Sequence, residues 1–411
     1  MTARVYIHVG PYKTGTTFLQ QVLDANRATL AERGLCVPAG SILGQSKAAH
    51  DALGLPMQGD RAKVRGCWRA LTEEVHAWPG PVAVISDEVL CRAGPRQVDR
   101  MVDSLAPADV HVVFTARDLA RVIPAMWQTH MRNKASEPWE SYLARVREPS
   151  ALAPYGKQFW REQDPRLVLG PWESRVPLER IHVVTVPPSG AEPGLLWERF
   201  CSVVGADPSA CSLQVRRANE SLGTAEAELL RRINARVAAE VRPVTYVRWV
   251  KNFVARDVLE PRPDQRKFAL PVEEHTWLRP RAEEICRFLD GRGYDVVGDL
   301  ADLLPRSVPA AVTPDTVEAD EMLDASVDVI AGLLGKIDGS ARRSGPPPHD
   351  GVVGDARRAV LTRWRRARQF LGPRLRRGGG SRLAPGVAVA LRRRRRADQR
   401  ERPRGSSARS A

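Results

Sequence analysis

Arg4 to Val9 (RVYIHV) is a β-branched and aromatic run that leads straight into a glycine-punctuated stretch, which predicts a buried strand ending in a turn. After Gly15 the period changes. Phe18, Leu19, Val22, Leu23 and Leu30 fall on one helical face and Gly34 stands where a helix would stop, so one continuous helix is expected there. Further strand-like runs are GLCVP, PVAVIS (Pro81 to Ser86), DVHVVFT (Asp109 to Thr115) and RIHVVTVP (Arg180 to Pro187). Helical patterns lie between them, including RAKVRGCWRALTEEVHAW and DLARVIPAMWQTHMRN. Near-continuous apolar strands alternating with helices predict an α/β fold, a parallel sheet flanked by helices, with ligands at the carboxyl ends of the strands.

From Ser221 the pattern is helical: TAEAELLRRINARVAAEV, YVRWVKNFVARDVL, and VEEHTWLRPRAEEICRFLDGRGYDVVGDL, whose helix should end at Gly291 or Gly293. The amphipathic segment Glu318 to Ile337 reads either as a helix packed on the body or as the start of a tail, and GSARRSGPPPHD reads as a linker. This predicts a P-loop-type α/β domain over 1–305, a C-terminal helix and linker over 306–340, and an arginine-rich, mostly disordered tail over 341–411.

Charge sharpens that division. The chain has 63 basic and 48 acidic residues, but the last 71 residues hold 21 Arg, no Lys and 4 acidic residues, a net of +17. Positions 1–340 keep 42 basic and 44 acidic residues, a net of −2, so the excess positive charge belongs to the tail. Within it, Val360, Leu361, Trp364, Ala367 and Leu371 share a helical stripe among arginines, a pattern suited to an anionic membrane surface or an acidic polymer; a solvated tail is the alternative. Arginines without a recognisable domain would give nucleic acid only salt-sensitive, non-specific affinity. The six cysteines show no C-x-x-C spacing and suggest neither metal nor disulfides. Without room for a signal peptide before the first strand, or an apolar run of about 20 residues, a cytoplasmic location is expected, with peripheral membrane attachment open to the tail.

The chemistry is expected at the strand ends. GPYKTGTT (Gly10 to Thr17) joins a strand to a helix N-terminus, where backbone N–H groups lack intrahelical partners and an anion is the expected guest. In a Walker A loop, G-x-x-x-x-G-K-[ST], lysine follows the second glycine; here Thr16 takes that place and Lys13 lies two residues before Gly15. Other strand ends offer Ser86-Asp87-Glu88, Thr115-Ala116-Arg117-Asp118 and Pro187-Pro188-Ser189.

PYKTGTTFL resembles the 5'-phosphosulfate loop of sulfotransferases that use 3'-phosphoadenosine 5'-phosphosulfate, with Tyr12 inserted between Pro11 and Lys13. The phrases HVVTVPPSG, LLWERFCSVVG, NESLG and GYDVVGDLADLLP extend the likeness, from Arg4 to about Pro305, to bacterial sulfotransferase-family proteins common in actinobacteria. The resemblance implies a sulfotransferase-like fold and transfer of a sulfuryl group, without a metal, to a hydroxyl or amine of a glycan, lipid or small metabolite. It implies donor binding by Lys13, Thr14, Gly15, Thr16 and Thr17, and a 3'-phosphate contact from Arg117, whose planar guanidinium suits phosphate. The family's serine eight residues on is replaced by Ala125; Gln128, Thr129, Arg216 or Arg217 are candidates to stand in, with Arg217 taken as a cofactor-binding residue.

Catalytically, Lys13 is expected to stabilise the departing oxygen and Glu88 to take the acceptor's proton, as in the glycan sulfotransferases that the chain resembles. Asp87, His8, His50, His111 and His130 compete for the base role, although His8 and His111 lie inside strands and read as packing residues. Trp127, Trp160 and Trp172 read as core before pocket. A P-loop kinase and an inactive nucleotide-binding protein are the competing readings.

Overall fold

The computed structural model describes residues 2–148, 154–215, 222–237, 239–263, 265–308 and 312–343. The chain divides into two units, 1–335 and 336–411. Of the second, only the helical residues 336–343 are described; Arg216, Arg217 and the expected amphipathic stripe of the tail lie outside the described residues.

Six strands, β1 (Arg4–His8), β2 (Leu35–Cys36), β3 (Val82–Ser86), β4 (Asp109–Ala116), β5 (Ile181–Thr185) and β6 (Asp295–Val297), form one sheet in the order β2-β3-β1-β4-β5-β6. Every pairing is parallel. The apolar runs are near-continuous because both faces are covered. Val5 and Ile7 of β1 face one apolar cluster and Tyr6 the other.

In chain order the first helices are α1 (Thr16–Ala25), α2 (Arg27–Glu32), α3 (Ile42–Leu53), α4 (Cys67–Ala77), α5 (Pro95–Leu105), α6 (Leu119–Arg132) and α7 (Trp139–Arg147). They are followed by α8 (Pro154–Gln163), α9 (Pro165–Glu173), α10 (Leu195–Val204), α11 (Thr224–Val237), α12 (Pro243–Tyr246), α13 (His275–Gly291) and α14 (Ala319–Arg343). Leu19, Val22 and Leu23 of α1 and Phe200 of α10 pack on the Tyr6 face. Val122, Ile123 and Met126 of α6, with α3 to α5, pack on the opposite face. The chain therefore leaves β1 for one face and β4 for the other. Between those adjacent strands the connections part, the position where open α/β sheets form a ligand crevice.

Three expectations change. The helix after Gly15 is two helices, because Asn26 donates its side-chain amide to the carbonyls of Val22 and Ser212 and accepts the Ser212 N–H, bending the chain at a contact 186 residues away in sequence. GYDVVGDL, grouped above with a helical segment, contributes the edge strand β6. Val247–Leu259, read as an ordinary helix, is a π-helix. As for the segment whose role stayed open, α14 buries Ala325 and Val329 in the core and ties Glu321 and Asp328 to Arg266 and Arg262 of the body. Trp127, Trp160 and Trp172 are core residues. Among the described residues no helix is long and apolar enough to cross a membrane.

Candidate active site

The loop after β1 is held from beneath by its carbonyls. Those of Pro11, Tyr12 and Lys13 accept in turn from Thr14 Oγ1 (2.6 Å), Gln163 Nε2 (3.0 Å) and Arg117 Nη1 (2.6 Å). Because a planar peptide sets each N–H opposite the preceding carbonyl, the Lys13 and Thr14 N–H groups point away from the clamps on Tyr12 and Lys13. No hydrogen bond donated by the Lys13, Thr14 or Gly15 N–H is found among the described residues. Lys13 and Gly15 both have left-handed backbone, φ 71° and 85°. Gly15 caps α1 without a side chain, and the first turn of α1 carries no acid. N–H groups without partners beside a positive helix end are the arrangement to which anions bind.

A polar belt across the strand ends supports the loop. His8 Nδ1 is 2.8 Å from Ser86 Oγ, His8 Nε2 is 3.3 Å from Thr115 Oγ1, and Thr115 Oγ1 is 2.7 Å from Thr14 Oγ1. Because Thr14 gives its proton to Pro11, Thr115 must donate to Thr14 and His8 Nε2–H to Thr115. Burial brings the His8 pKa down to about 3, so the ring is neutral and its Nδ1 accepts from Ser86. A Cβ on Gly10 would overlap Thr115 Oγ1 and His8 Nε2, so the loop can approach the belt only as glycine.

Cations converge above it. Burial brings the Lys13 ammonium down to about 8, with Arg132 and Arg117 adding to the shift and Glu88 and Glu260 opposing it. Burial likewise brings Arg117 down to about 10, with Arg121 adding to it and Asp118 opposing. Arg132, at the end of α6, pairs with Glu260 at 2.8 Å. Lys13 is thus a cation disfavoured both by burial and by two neighbouring guanidiniums, and an anion beside it would offset that cost.

Glu88 begins the short 3-10 helix Glu88–Arg92 just beyond β3. Gln20 of α1, a buried residue that inspection of the sequence did not single out, donates to its Oε2 at 2.9 Å and so aims the carboxylate. Asp87 caps that helix by accepting the Val89 N–H, and burial, with Glu88 adding to it, pushes its carboxyl up to about 6. Its carboxylate is therefore turned into the fold. Of the competing histidines, His50 bonds the Ser46 carbonyl and His111 bonds His182, where burial brings it down to about 4. His130 packs edge-on against Tyr142.

The structure brings the loop, Arg117 and Glu88 to one sheet edge. Thr14 turns its hydroxyl inward, leaving its N–H for a ligand; Thr16 is buried and Thr17 half-buried in the first turn of α1. Ala125 is half-buried, and its carbonyl accepts from Thr129 Oγ1 while Gln128 donates to Leu222. Of the four candidates for the missing serine's place, Gln128 and Thr129 each donate to a backbone carbonyl, and Arg216 and Arg217 lie outside the described residues.

No family model matches the chain, and no curated protein matches it. Among solved structures it is similar to the crystal structure of a sulfotransferase from Alicyclobacillus acidocaldarius, with 15% sequence identity and a TM-score of 0.35, over 58% of this chain and 96% of that one.

Proposed function

We propose that the chain transfers a sulfuryl group from 3'-phosphoadenosine 5'-phosphosulfate to a hydroxyl or amine. One observation supports the reading: Arg117 donates to the Lys13 carbonyl, which joins a guanidinium to a half-buried lysine on a loop whose Lys13, Thr14 and Gly15 N–H groups donate to nothing among the described residues. In this reading the amides of Lys13, Thr14 and Gly15 and the first turn of α1 hold the 5'-phosphosulfate. Arg117 meets the 3'-phosphate with its remaining donors, and Arg217, outside the described residues, is assigned to donor binding. Lys13 stabilises the bridging oxygen as the S–O bond breaks; Glu88, steadied by Gln20, removes the proton of the attacking acceptor. No metal takes part. The lysine before Gly15, with Thr16 at the Walker position, favours this over a kinase.

Calorimetry of the full chain with adenosine 3',5'-bisphosphate, and separately with ATP and magnesium, tests the reading. Bisphosphate binding supports it, and binding of ATP alone overturns it. Tight bisphosphate binding without sulfation of any acceptor in a cell-extract screen would leave an inactive nucleotide-binding protein. Residues 341–411, with their net +17, we assign to attachment at an anionic surface, each arginine adding about 1 kcal/mol close to an anionic leaflet.

A further inference from the structure

Beside the donor loop three clefts run together. The central one, of about 270 Å³, is bounded by Tyr12, Thr129 and Asn133. Through Arg92, Gln158 and Glu162 it continues into a cleft of about 620 Å³, and through His130 and Ala135 into one of about 490 Å³. The result is an extended, open groove and not a closed pocket. Its middle is tied to the proposed chemistry on both sides: Tyr12 precedes Lys13, and Arg92 lies one turn after Glu88 on the same short helix.

The groove is built to bind polar material. The Arg92 guanidinium sits 5.3 Å from the centre of the Tyr12 ring and pairs at 2.6 Å with Glu162, whose side chain is 1% exposed. Gln158 donates to Glu162 Oε1, while Glu162 Oε2 has no hydrogen-bond partner among the described residues. That oxygen is itself buried, so Glu162 serves the groove by holding Arg92, and the groups open to a ligand are the Arg92 guanidinium and the Gln158 amide. Charge is unevenly spread: Lys157 and Arg161 stand exposed at one end; at the other Lys134 is half-buried, with one N–H on the Val241 carbonyl, while Glu137 is already paired with Arg145. Surplus positive charge at both ends, with hydrogen-bonding groups between, matches a chain that alternates hydroxyls and carboxylates.

We infer that this groove is the acceptor site and that the acceptor is an extended acidic oligosaccharide, one of whose hydroxyls reaches Lys13 and Glu88 from the Tyr12–Arg92 midpoint. This rests on the sulfuryl-transfer reading for what happens at the midpoint, and on the groove alone for what binds.

The test uses galacturonate oligomers, monomer to octamer, with maltooctaose as the neutral control, read by hydrogen exchange on the full chain. The octamer should protect the segments around Arg92, 156–163 and 130–136 together, the monomer none of them. Lys157→Ala/Arg161→Ala, a change of two exposed residues, should weaken octamer binding by about tenfold or more and leave adenosine 3',5'-bisphosphate affinity unchanged. Hydrogen exchange reports by segment, so arginines of residues 341–411 cannot imitate the result. Octamer affinity and protection untouched by the double variant would overturn the groove as the site, and equal protection by maltooctaose would overturn the acidic class. Octamer protection in a protein that ignores the bisphosphate would strike down the donor reading, and with it the groove's role as acceptor site.

Discussion

Lys13 is asked to be cationic where burial disfavours a cation, and that makes its titration visible. Its charge is lost as pH rises through about 8, so kcat/KM for the donor should fall on that limb, and Lys13→Arg should move the fall to higher pH. Lys13→Ala should lower turnover by about 10²- to 10³-fold, in the range for one preorganised donor. Glu88→Gln should abolish turnover with bisphosphate affinity intact, whereas Gln20→Ala should lower kcat only partly, since Gln20 orients the carboxylate without replacing it. Steady-state kinetics beside calorimetry checks all four; an active Glu88→Gln protein would pass the base role to another group. The placing of Lys13, Arg117 and Glu88 at one sheet edge was legible because each stands within a few residues of the end of an apolar run. Gln20 was not, because one glutamine in an apolar stripe carries no sign of what it faces.

At the scale of elements, the loop's form is decided by contacts with β4 and α8, which no local pattern announces. The glycine spacing revealed a turn, yet the reason for Gly10 is the Thr115 hydroxyl more than 100 positions away. Gly10→Ala should destabilise the fold by about 1–3 kcal/mol through overpacking, read as a lower denaturant midpoint; a midpoint equal to that of the native chain would mean the belt yields easily. Five strands were readable because burial on both faces makes their runs near-continuously apolar. β6 escaped because it has three residues, with Asp295 exposed at the sheet edge. The break at Asn26 escaped for a related cause: its clamp on Ser212 is tertiary, whereas helical periodicity continues unbroken through it.

For the whole molecule, the composition of 1–340 and 341–411 predicts a separation of roles. A chain cut after Arg343, where α14 ends, should keep its sulfation of a soluble acceptor and lose its salt-sensitive sedimentation with anionic vesicles. Loss of soluble-acceptor turnover would instead place the removed residues in the active site. The left-handed backbone of Lys13 has a consequence for heat denaturation. A side chain there costs about 1–2 kcal/mol that glycine would not, and a crowded ammonium adds to it. Lys13→Gly should therefore melt at a higher temperature than the native chain while losing its chemistry. Adenosine 3',5'-bisphosphate should narrow that gap by raising the native chain's melting temperature more than the variant's. Selection for thermal robustness and selection for turnover would then pull this one position in opposite directions.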